Sequence, residues 1–425
     1  MRITMFVFDD VKHDTRVRRE AVALAAAGHQ VTIVGRASDL RTTEVTEDRL
    51  DDIVVLRVPI PNGWRRPWRI FGAPVRLSAR VLARLRGRQG GGRTVTWLVV
   101  WRFAVDGWAR RAARAAPICD VAHGHDLSGV LAAARAARRD GARLVFDSHE
   151  LLLESAGSAT QPGWGRSVLR RAEAKEFGEA SAVVTVNDAI GAELTGRYGV
   201  VAPVVVHNCP PRWTPPEPPP DLIRAATGIP ADAPIALYHG GFSAHRGLEQ
   251  LGEAILRPGL ERVHAVFLGY GTQRPLVEAM ATDPRFGGRA HVLDAVSPDE
   301  VLPWVASADV GVMAIQPSTL NHRLSTPNKL FECLAAGVPV VASDFPEMRR
   351  ILLEDPDGPL GAVCDPIDPE AVARAIGDIV ALDPAERADL RRRCLSAAGE
   401  RWNWETESAK LVELYARLGT PVRST

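Results

Sequence analysis

The stretch 326–343, TPNKLFECLAAGVPVVAS, predicts a short helix followed directly by a buried strand. Pro327 suits the first helical position and Gly337 suits the left-handed residue after the last turn, so both ends of the helix are marked. We expect Thr326 to cap the first amides. The apolar run Pro339–Ala342 begins with a residue that cannot continue the helix, and it predicts the strand.

Lys329 and Glu332 suggest that this helix binds a ligand. Lys329 lies in the first turn, where the positive end of the helix dipole disfavours a cation. Glu332 follows three residues later on the same face. A nucleoside diphosphate would fill the space between them, because its phosphates suit the cation and its ribose hydroxyls suit the carboxylate. An exposed helix with one ion pair is the alternative that the spacing leaves open.

Length and composition restrict the class of protein. A chain of 425 residues is too long for one core and fits two domains of roughly 200 residues each. The formal net charge of +1 argues against nucleic-acid binding driven by overall charge. The five scattered cysteines show neither metal-ligand spacing nor a disulfide framework, so we expect a cytoplasmic protein. The sequence has no signal-peptide layout and no apolar run of the about 18 residues that a spanning helix needs.

Both halves of the chain alternate short apolar runs with helical patterns, which is typical of parallel sheets with crossover helices. The strands predicted in the first half are Ile3–Phe8, Gln30–Val34, Ile53–Val58, Val121–His123, Arg143–Phe146, Ala182–Val186 and Val204–Val206. Those in the second half are Ile235–His239, His264–Leu268, His291–Leu293, Val310–Ala314, Val338–Ala342 and Ala362–Cys364. The sequence therefore predicts two Rossmann-like α/β domains, residues 1–209 and 221–400, with a ligand cleft between the carboxyl edges of their sheets. The proline-rich segment 210–220 is interpreted as a stiff linker, and 401–425 as a final helix.

A glycine-rich loop follows the first strand of the second half, HGGFSAHRG at 239–247. Gly240 and Gly241 allow the backbone to approach a ligand closely. Arg246 places a second cation where the next helix is expected to begin, and its planar guanidinium matches a phosphate. A glycine-rich turn with a solvated arginine is the alternative. Lys329 weakens it, because both cations follow strands of the same sheet.

Two histidines at the end of a predicted strand, His123 and His125, share one face because side chains alternate along a strand. Three interpretations remain open. They are two ligands of a metal site, for which the spacing offers no third. One of them lines the ligand cleft. Or they are structural residues at a strand end.

Three further residues are candidates for the acceptor side of a site. His149 and Glu150 follow the next predicted strand, where they would orient an acceptor or fix their loop. Arg16 lies in the first turn of the first helix. It would meet a diphosphate or an acidic acceptor there, unless it is simply solvated.

The segment 64–93 is rich in arginine and contains two tryptophans. Its apolar residues at helical spacing predict an amphipathic helix. Such a helix would suit an anionic membrane surface and a lipid-linked acceptor. An arginine-rich acceptor loop without membrane contact is the alternative.

The stretch 326–343 also resembles the nucleotide-sugar signature of retaining glycosyltransferases of family 4, which have the GT-B fold, and in particular the branch whose members contain PNKLFE. The resemblance extends over nearly the whole chain. It implies a final helix that crosses back onto the first domain, and a donor diphosphate held by Arg246 and Lys329. It also implies that Glu332 holds the ribose hydroxyls and that His125 contacts the sugar near the reacting carbon. The donor-binding residues that it implies are Gly240, Gly241, Arg246, Asn328, Lys329 and Glu332.

One departure from the family pattern bears on specificity. The usual pattern has a glutamate eight positions before Glu332, and this chain has Leu324 there. The donor-sugar contact of that glutamate must be made otherwise, so the sugar cannot be inferred.

A dehydrogenase is poorly supported, because no G-x-G-x-x-G follows the first strand of either half.

The sequence therefore predicts a retaining glycosyltransferase that needs neither a metal nor another cofactor. It would move a sugar from a UDP- or GDP-linked donor to a glycan, a lipid-linked acceptor or a small molecule. Two alternatives stay open. One is a non-hydrolysing sugar-nucleotide epimerase, and the other is a catalytically silent homologue that acts as a partner subunit.

Overall fold

The computed structural model of the protein describes residues 1–12, 14–39, 42–61, 77–78, 81, 96–97, 99, 101–155, 158 and 163–419. The chain forms two compact units. Unit 1 contains the described residues of Met1–Val206 and Ser408–Thr425, and unit 2 contains His207–Glu407. Both units have the α/β architecture that the alternating sequence patterns predict.

Unit 1 is built on one sheet. Its strands are β1 (Arg2–Val7), β2 (Gln30–Arg36), β3 (Thr46–Leu50), β4 (Ile53–Val58), β5 (Val121–His125), β6 (Arg143–Ser148), β7 (Ala182–Thr185) and β8 (Val204–Val205). The strand order is β3-β4-β2-β1-β5-β6-β7-β8, and every neighbouring pair is parallel except β3 with β4. The chain passes from one side of β1 to the other between β4 and β5. Strands β1 and β5 therefore flank the switch point at which open α/β sheets bind ligands.

The sequence patterns do not predict strand β3. Its sequence, TEDRL, has four exposed residues, and it pairs antiparallel with β4 at the edge of the sheet. Charged residues suit an edge strand because they discourage pairing with another chain. The apolar alternation on which strand prediction depends is absent from such a strand.

The helices described in unit 1 are α1 (Thr15–Ala26), α2 (Asp106–Ala115), α3 (Asp126–Asp140), α4 (Gly163–Glu179) and α5 (Asp188–Tyr198), with a π-helical turn at Trp101–Val105 and a 3₁₀ turn at Leu152–Glu154. The Asp14 side chain accepts a hydrogen bond from the Val17 amide and so caps α1. Gly141 ends α3 with a φ of 66°. Trp108 of α2 is fully buried in the core, and its Nε1 donates to the Val58 carbonyl at 3.0 Å.

Unit 2 contains a second, entirely parallel sheet. Its strands are β9 (Ile235–Gly241), β10 (His264–Tyr270), β11 (Ala290–Asp294), β12 (Val310–Met313), β13 (Val340–Ser343) and β14 (Gly361–Cys364). The order is β11-β10-β9-β12-β13-β14, so the switch point lies between β9 and β12. Residues of β9 enter two separate hydrophobic clusters in alternation, with Leu237 in one and Tyr238 in the other. Both faces of this sheet are therefore covered, as a parallel sheet requires.

The helices of unit 2 are α6 (Leu222–Thr227), α7 (Leu248–Ala254), α8 (Arg274–Thr282), α9 (Val301–Val305), α10 (Leu320–Leu324), α11 (Asn328–Ala335), α12 (Pro346–Leu353), α13 (Pro369–Val380) and α14 (Pro384–Glu400), with a 3₁₀ turn at Pro284–Phe286. The last helix, α15 (Trp404–Gly419), begins in unit 2, and its residues from Ser408 onward belong to unit 1. Asp383 and Glu386 form a capping box at the start of α14.

Helix α11, which carries Lys329, differs in detail from the prediction. Pro327 has φ −74° and ψ 139°, so it is extended and occupies the capping position instead of the first helical one. The expectation that Thr326 caps the helix is therefore wrong, because Thr326 lies before the cap. Gly337 has the predicted left-handed conformation, with φ 71°. Lys329 remains in the first turn of the helix.

The proline-rich segment 210–220 contains no helix or strand, as predicted, but it belongs to unit 2. Trp213 packs against the hydrophobic core of that unit. The Arg212 Nε donates to the Gly399 carbonyl at 2.9 Å. The segment is therefore fixed to unit 2 along part of its length.

Three sequence expectations concern compartment and membrane. The five cysteines are all free and buried. Within the described ranges, no helix is both long enough and apolar enough to cross a bilayer. The segment 64–93 lies outside the described residues except for 77, 78 and 81, so its amphipathic helix stays a prediction.

Candidate active site

Lys329 and Arg246 follow strands that flank the switch point of unit 2. Arg246 lies in the loop after β9, and Lys329 lies in the first turn of α11, between β12 and β13. The Lys329 Nζ is 3.8 Å from the centroid of the Tyr238 ring. A Cβ on Gly240 would lie 3.5 Å from the same Nζ. The ammonium therefore rests between an aromatic face and glycine backbone.

Arg246 and Lys329 form no ion pair within the part of the chain that the structure describes. Burial and then the positive charge of Arg246 lower the pKa of Lys329 to about 7, while Glu332 acts in the opposite direction. The two cations therefore repel each other at the end of the sheet. A bound anion would reduce this repulsion.

Glu332 is held by a histidine that the sequence patterns did not single out. Its Oε2 lies 2.8 Å from the Nε2 of His239, the buried residue that precedes the glycine pair. The helix is not the exposed one of the predicted alternative, because five of its eight residues are buried. His239 restricts the carboxylate in the way that a site for ribose hydroxyls would need.

Glycines, which have no side chain, shape the end of β9 and the loop between β9 and α7. Gly240 has a φ of 102°. A Cβ on Gly269, in β10, would lie only 1.9 Å from the Gly240 carbonyl oxygen, and one on Gly247 only 2.4 Å from the Ala314 oxygen. The glycines therefore let the loop fold closely against β10 and against the residue after β12.

Replacing Gly247 by alanine is expected to lower the free energy of unfolding by about 2–4 kcal/mol, because the new Cβ would clash and because φ is 82°. Gly241→Ala is the matched control, since no atom lies within 4 Å of its Cβ position. Urea unfolding of the full chain measures both. Equal midpoints for the two variants would contradict the packing described for this loop.

The segment that contains Leu324 presents histidine and serine near the loop. Leu324, which stands at the position of the usual glutamate, is the last residue of the short helix α10. The His322 Nδ1 lies 2.8 Å from the Ser318 hydroxyl, and its ring centroid is 6.4 Å from that of His245. These groups are neighbours of Arg246, because its charge contributes to the lowered pKa of His322 after the effect of burial. They are polar groups of the segment that contains Leu324 and of the neighbouring loop.

Unit 1 contains a buried polar cluster centred on Asp147. Arg16 of α1 donates two hydrogen bonds to this carboxylate, from Nε and Nη2, each at 3.1 Å. The Arg16 Nε is also 2.9 Å from a Glu20 oxygen, and Nη1 donates to the Val206 carbonyl at 2.7 Å. All three charged side chains are buried. The interpretation of Arg16 as a solvated residue is therefore wrong, because its guanidinium is packed against carboxylates of its own unit.

His125 contacts Asp147 with one ring nitrogen only. Its Nδ1 lies 3.2 Å from the Asp147 Oδ2, whereas its Nε2 is buried and has no hydrogen-bond partner among the described residues. Burial and then the neighbouring His123 lower the pKa of His125 to about 3, so the ring is neutral near pH 7. A buried nitrogen without a partner is costly unless a ligand supplies one.

His123 is bonded to the final helix. Its Nδ1 lies 2.8 Å from the hydroxyl of Tyr415 in α15, and both residues belong to unit 1. The rings of His123 and His125 stack with centroids 4.5 Å apart. The prediction that the two histidines share a face is confirmed.

His149 uses both ring nitrogens within unit 1. Its Nε2 lies 3.1 Å from Asp147 and its Nδ1 lies 3.5 Å from Asp126, which also accepts a hydrogen bond from the His149 amide at 3.0 Å. Burial would lower the pKa of His149, but these two carboxylates raise it to about 10, so the ring is a cation. The Ser148 hydroxyl donates to the Glu150 carbonyl at 3.0 Å in the same loop. Of the two predicted roles for His149, the geometry favours fixing the loop.

The cluster contains more potential metal-binding residues than the sequence indicated. Glu20, His123, His125 and Asp147 have donor atoms within 4.8 Å of one another, so the expectation that the histidines lack a third ligand is wrong. Arg16, however, lies against both carboxylates. A divalent cation would add positive charge beside this guanidinium and the His149 cation, which together match the two carboxylates, and we therefore assign the cluster to ion pairing.

Two family profiles match the chain, "Glycosyl transferases group 1" over residues 233–381 and "Glycosyl transferase 4-like domain" over residues 13–210. The chain is 30% identical over 318 residues to the D-inositol 3-phosphate glycosyltransferase of Xylanimonas cellulosilytica. That alignment covers 70% of this chain and 72% of the relative. The chain belongs to glycosyltransferase family 4. Its place in the PNKLFE branch stays a prediction.

Two further comparisons place this family 4 glycosyltransferase among known proteins. It is 26% identical over 292 residues to the GDP-mannose-dependent alpha-(1-6)-phosphatidylinositol monomannoside mannosyltransferase of Mycolicibacterium smegmatis, covering 65% of this chain and 71% of that one. The structure of sucrose-phosphate synthase from Thermosynechococcus elongatus matches with a TM-score of 0.68 at 18% identity, covering 98% of this chain and 99% of that chain. The fold is the GT-B fold that the resemblance implies.

The predicted site residues of this glycosyltransferase fall into two groups. Those in unit 2 are Gly240, Gly241, Arg246, Asn328, Lys329 and Glu332, and those in unit 1 are Arg16, His125, His149 and Glu150. The sequence patterns missed His239, Glu20, Asp147 and Tyr415. His239 had a signal, since it ends a strand directly before the glycine pair. No sequence signal indicated that Asp147 contacts Arg16, because the two residues are 131 positions apart.

Proposed function

We propose that this protein is a retaining, metal-independent glycosyltransferase whose unit 2 binds a nucleoside-diphosphate sugar. The observation that carries the proposal is the pair Arg246 and Lys329, two cations without a carboxylate partner among the described residues, next to the switch point of a parallel sheet. A donor diphosphate supplies the missing negative charge. The same contacts then stabilise the charge that develops on the leaving diphosphate.

The neighbouring groups fit the rest of a nucleotide sugar. Glu332, held by His239 at 2.8 Å, is proposed to accept hydrogen bonds from the ribose hydroxyls. The backbone at Gly240 and Gly241 has no side chain to keep a phosphate away. Asn328, the first residue of α11, adds a backbone amide at the positive end of that helix.

Retention is proposed without a protein nucleophile. The buried carboxylates nearest His125 are Asp147 and Glu20, and Arg16 holds both of them. Neither is free for the paired-carboxylate chemistry of a retaining glycosidase. The acceptor then attacks the face that the leaving group vacates, and the departing phosphate takes the proton. His125 is proposed to contact the sugar through Nε2.

The acceptor is proposed to bind on unit 1 and to be a glycan, a lipid-linked molecule or a small metabolite. The names of the two relatives mention D-inositol 3-phosphate and phosphatidylinositol monomannoside. Both therefore belong in the acceptor panel, with UDP- and GDP-linked sugars as donors.

Incubation with each nucleotide sugar, with and without acceptor, tests the proposal against its alternatives. We expect a transfer product only when the acceptor is present. An isomerised nucleotide sugar formed without acceptor would indicate an epimerase. Tight nucleotide binding without turnover of any donor, even with a partner protein added, would indicate a silent homologue.

Donor binding should depend on pH through Lys329. Its pKa of about 7 in the empty site should rise when the diphosphate binds, so binding takes up a proton above pH 7. We expect the association constant to fall up to about tenfold per pH unit from pH 7 to 9. Calorimetry in buffers of different protonation enthalpy, with a nucleotide sugar as ligand, measures the uptake directly. Lys329→Arg should remove it, since arginine stays charged, and binding without proton uptake by the wild type would contradict the role of Lys329.

A further inference from the structure

Asp147 is a rigid carboxylate next to His125. It is fully buried, and both of its oxygens accept hydrogen bonds from Arg16 at 3.1 Å. Burial would raise the pKa of Asp147, but the charges of Arg16 and His149 lower it well below its usual value. The group is therefore a permanent anion and can only accept hydrogen bonds.

Three atoms meet at this carboxylate. Oδ2 of Asp147 lies 3.2 Å from the His125 Nδ1 and 3.1 Å from the His149 Nε2, and these two nitrogens are 3.1 Å apart. Since His149 is a cation, its Nε2 carries a proton. The neutral His125 has one proton to place on either nitrogen.

The proton of His125 belongs on Nδ1 for an energetic reason. Placed there, it gives the buried anion a second charge-assisted hydrogen bond, alongside the one from His149. Placed on Nε2, it would leave Nδ1 as an acceptor facing a carboxylate oxygen at 3.2 Å, which is repulsive. His149 could then donate to Nδ1 only by weakening its own hydrogen bond to Asp147. In the first arrangement the His125 Nε2 is a lone pair, buried and without a partner among the described residues.

We propose that Asp147, held by Arg16, is a positioning residue that presents the Nε2 lone pair of His125 to a hydroxyl group of the sugar substrate. This rests on the proposed function. It also defines the substrate class at this point. A hydroxyl donates to the lone pair, whereas a carboxylate at the same place would face it with another acceptor. The proposal therefore assigns a neutral, hydroxylated sugar position next to His125.

Long-range ¹H–¹⁵N spectra of the ¹⁵N-histidine-labelled full chain test the tautomer. The chain has 11 histidines, and His125→Gln identifies the signals of His125. We expect protonated Nδ1 and unprotonated Nε2 in the wild type between pH 6 and 8, and the reverse in Asp147→Asn, whose amide can donate to Nδ1. His149→Gln is the matched control, because it loses a hydrogen bond to Asp147 but keeps the contact of Asp147 with His125. A wild type with the proton on Nε2 overturns the proposal, even if Asp147→Asn does not fold.

Activity separates this proposal from the proposed function. Asp147→Asn should lower kcat by about 100-fold while the affinity for the nucleoside diphosphate, which has no sugar to meet His125, stays within about twofold. An unchanged kcat with a reversed tautomer would overturn the positioning role. Failure of the wild type to transfer any sugar, with the expected tautomer present, would instead count against the proposed function.

Discussion

Replacing Arg246 and Lys329 together by alanine is expected to weaken binding of the cognate nucleoside diphosphate by about 1000-fold or more. Each single change should cost about 100-fold, because a preorganised, partly desolvated contact to a phosphate contributes roughly 2.7–4 kcal/mol. The loss should be specific to the diphosphate, so the affinity for the bare nucleoside should stay close to that of the wild type. Calorimetric titration with UDP, GDP, ADP and TDP measures these affinities and identifies the base.

Arg392→Ala is the matched control for this experiment. Arg392 lies in α14 with its side chain 73% exposed and its guanidinium on Asp389. Removing it deletes the same charge from the same unit, and nucleotide affinity should not change. A double variant that binds as well as Arg392→Ala would mean that the two cations are not the diphosphate site.

Replacing Arg16 by leucine is expected to destabilise unit 1 by about 3–5 kcal/mol, because it leaves two buried carboxylates, Asp147 and Glu20, with His149 as the one cation among the described residues of the cluster. In a unit of this size the loss lowers the melting temperature by roughly 10 °C. Adding Asp147→Asn to Arg16→Leu should recover part of the loss, since an uncompensated charge is then removed. Thermal unfolding followed by circular dichroism measures all three proteins.

An exposed pair in the same unit provides the comparison. Arg2 and Asp120 lie 2.7 Å apart, with side chains 51% and 42% exposed. Arg2→Leu should change the melting temperature little, because solvent screens such pairs. Equal melting temperatures for Arg16→Leu and Arg2→Leu would contradict the burial of the Asp147 cluster.

The fold could be predicted largely from the sequence, because apolar runs separated by helical patterns specify parallel strands and crossover helices. The exception β3 shows the physical limit of this approach. Its five residues are stabilised by pairing with β4 and not by burial, so they carry no apolar pattern. The start of α11 shows a second limit. A proline suits both the cap and the first helical position, and only its ψ of 139° distinguishes them.

The candidate site could be predicted where its residues lie close together in sequence, on one helix or one short segment. Lys329 and Glu332 share one helix, and Gly240 and Gly241 end the strand that leads into the loop with Arg246. Interactions between distant elements could not be predicted this way. The sequence places Arg16 at a helix start, where solvent is the ordinary neighbour, and only the folded sheet brings Asp147 to it.

The most direct test of the account is an NMR record of the reaction, with the cognate nucleotide sugar, an acceptor and EDTA present. We predict that the anomeric proton of the product has the configuration of the donor and that one nucleoside diphosphate is released per sugar transferred. The Arg246→Ala/Lys329→Ala variant should give no product. An inverted product, or transfer that persists in this variant, would contradict the account.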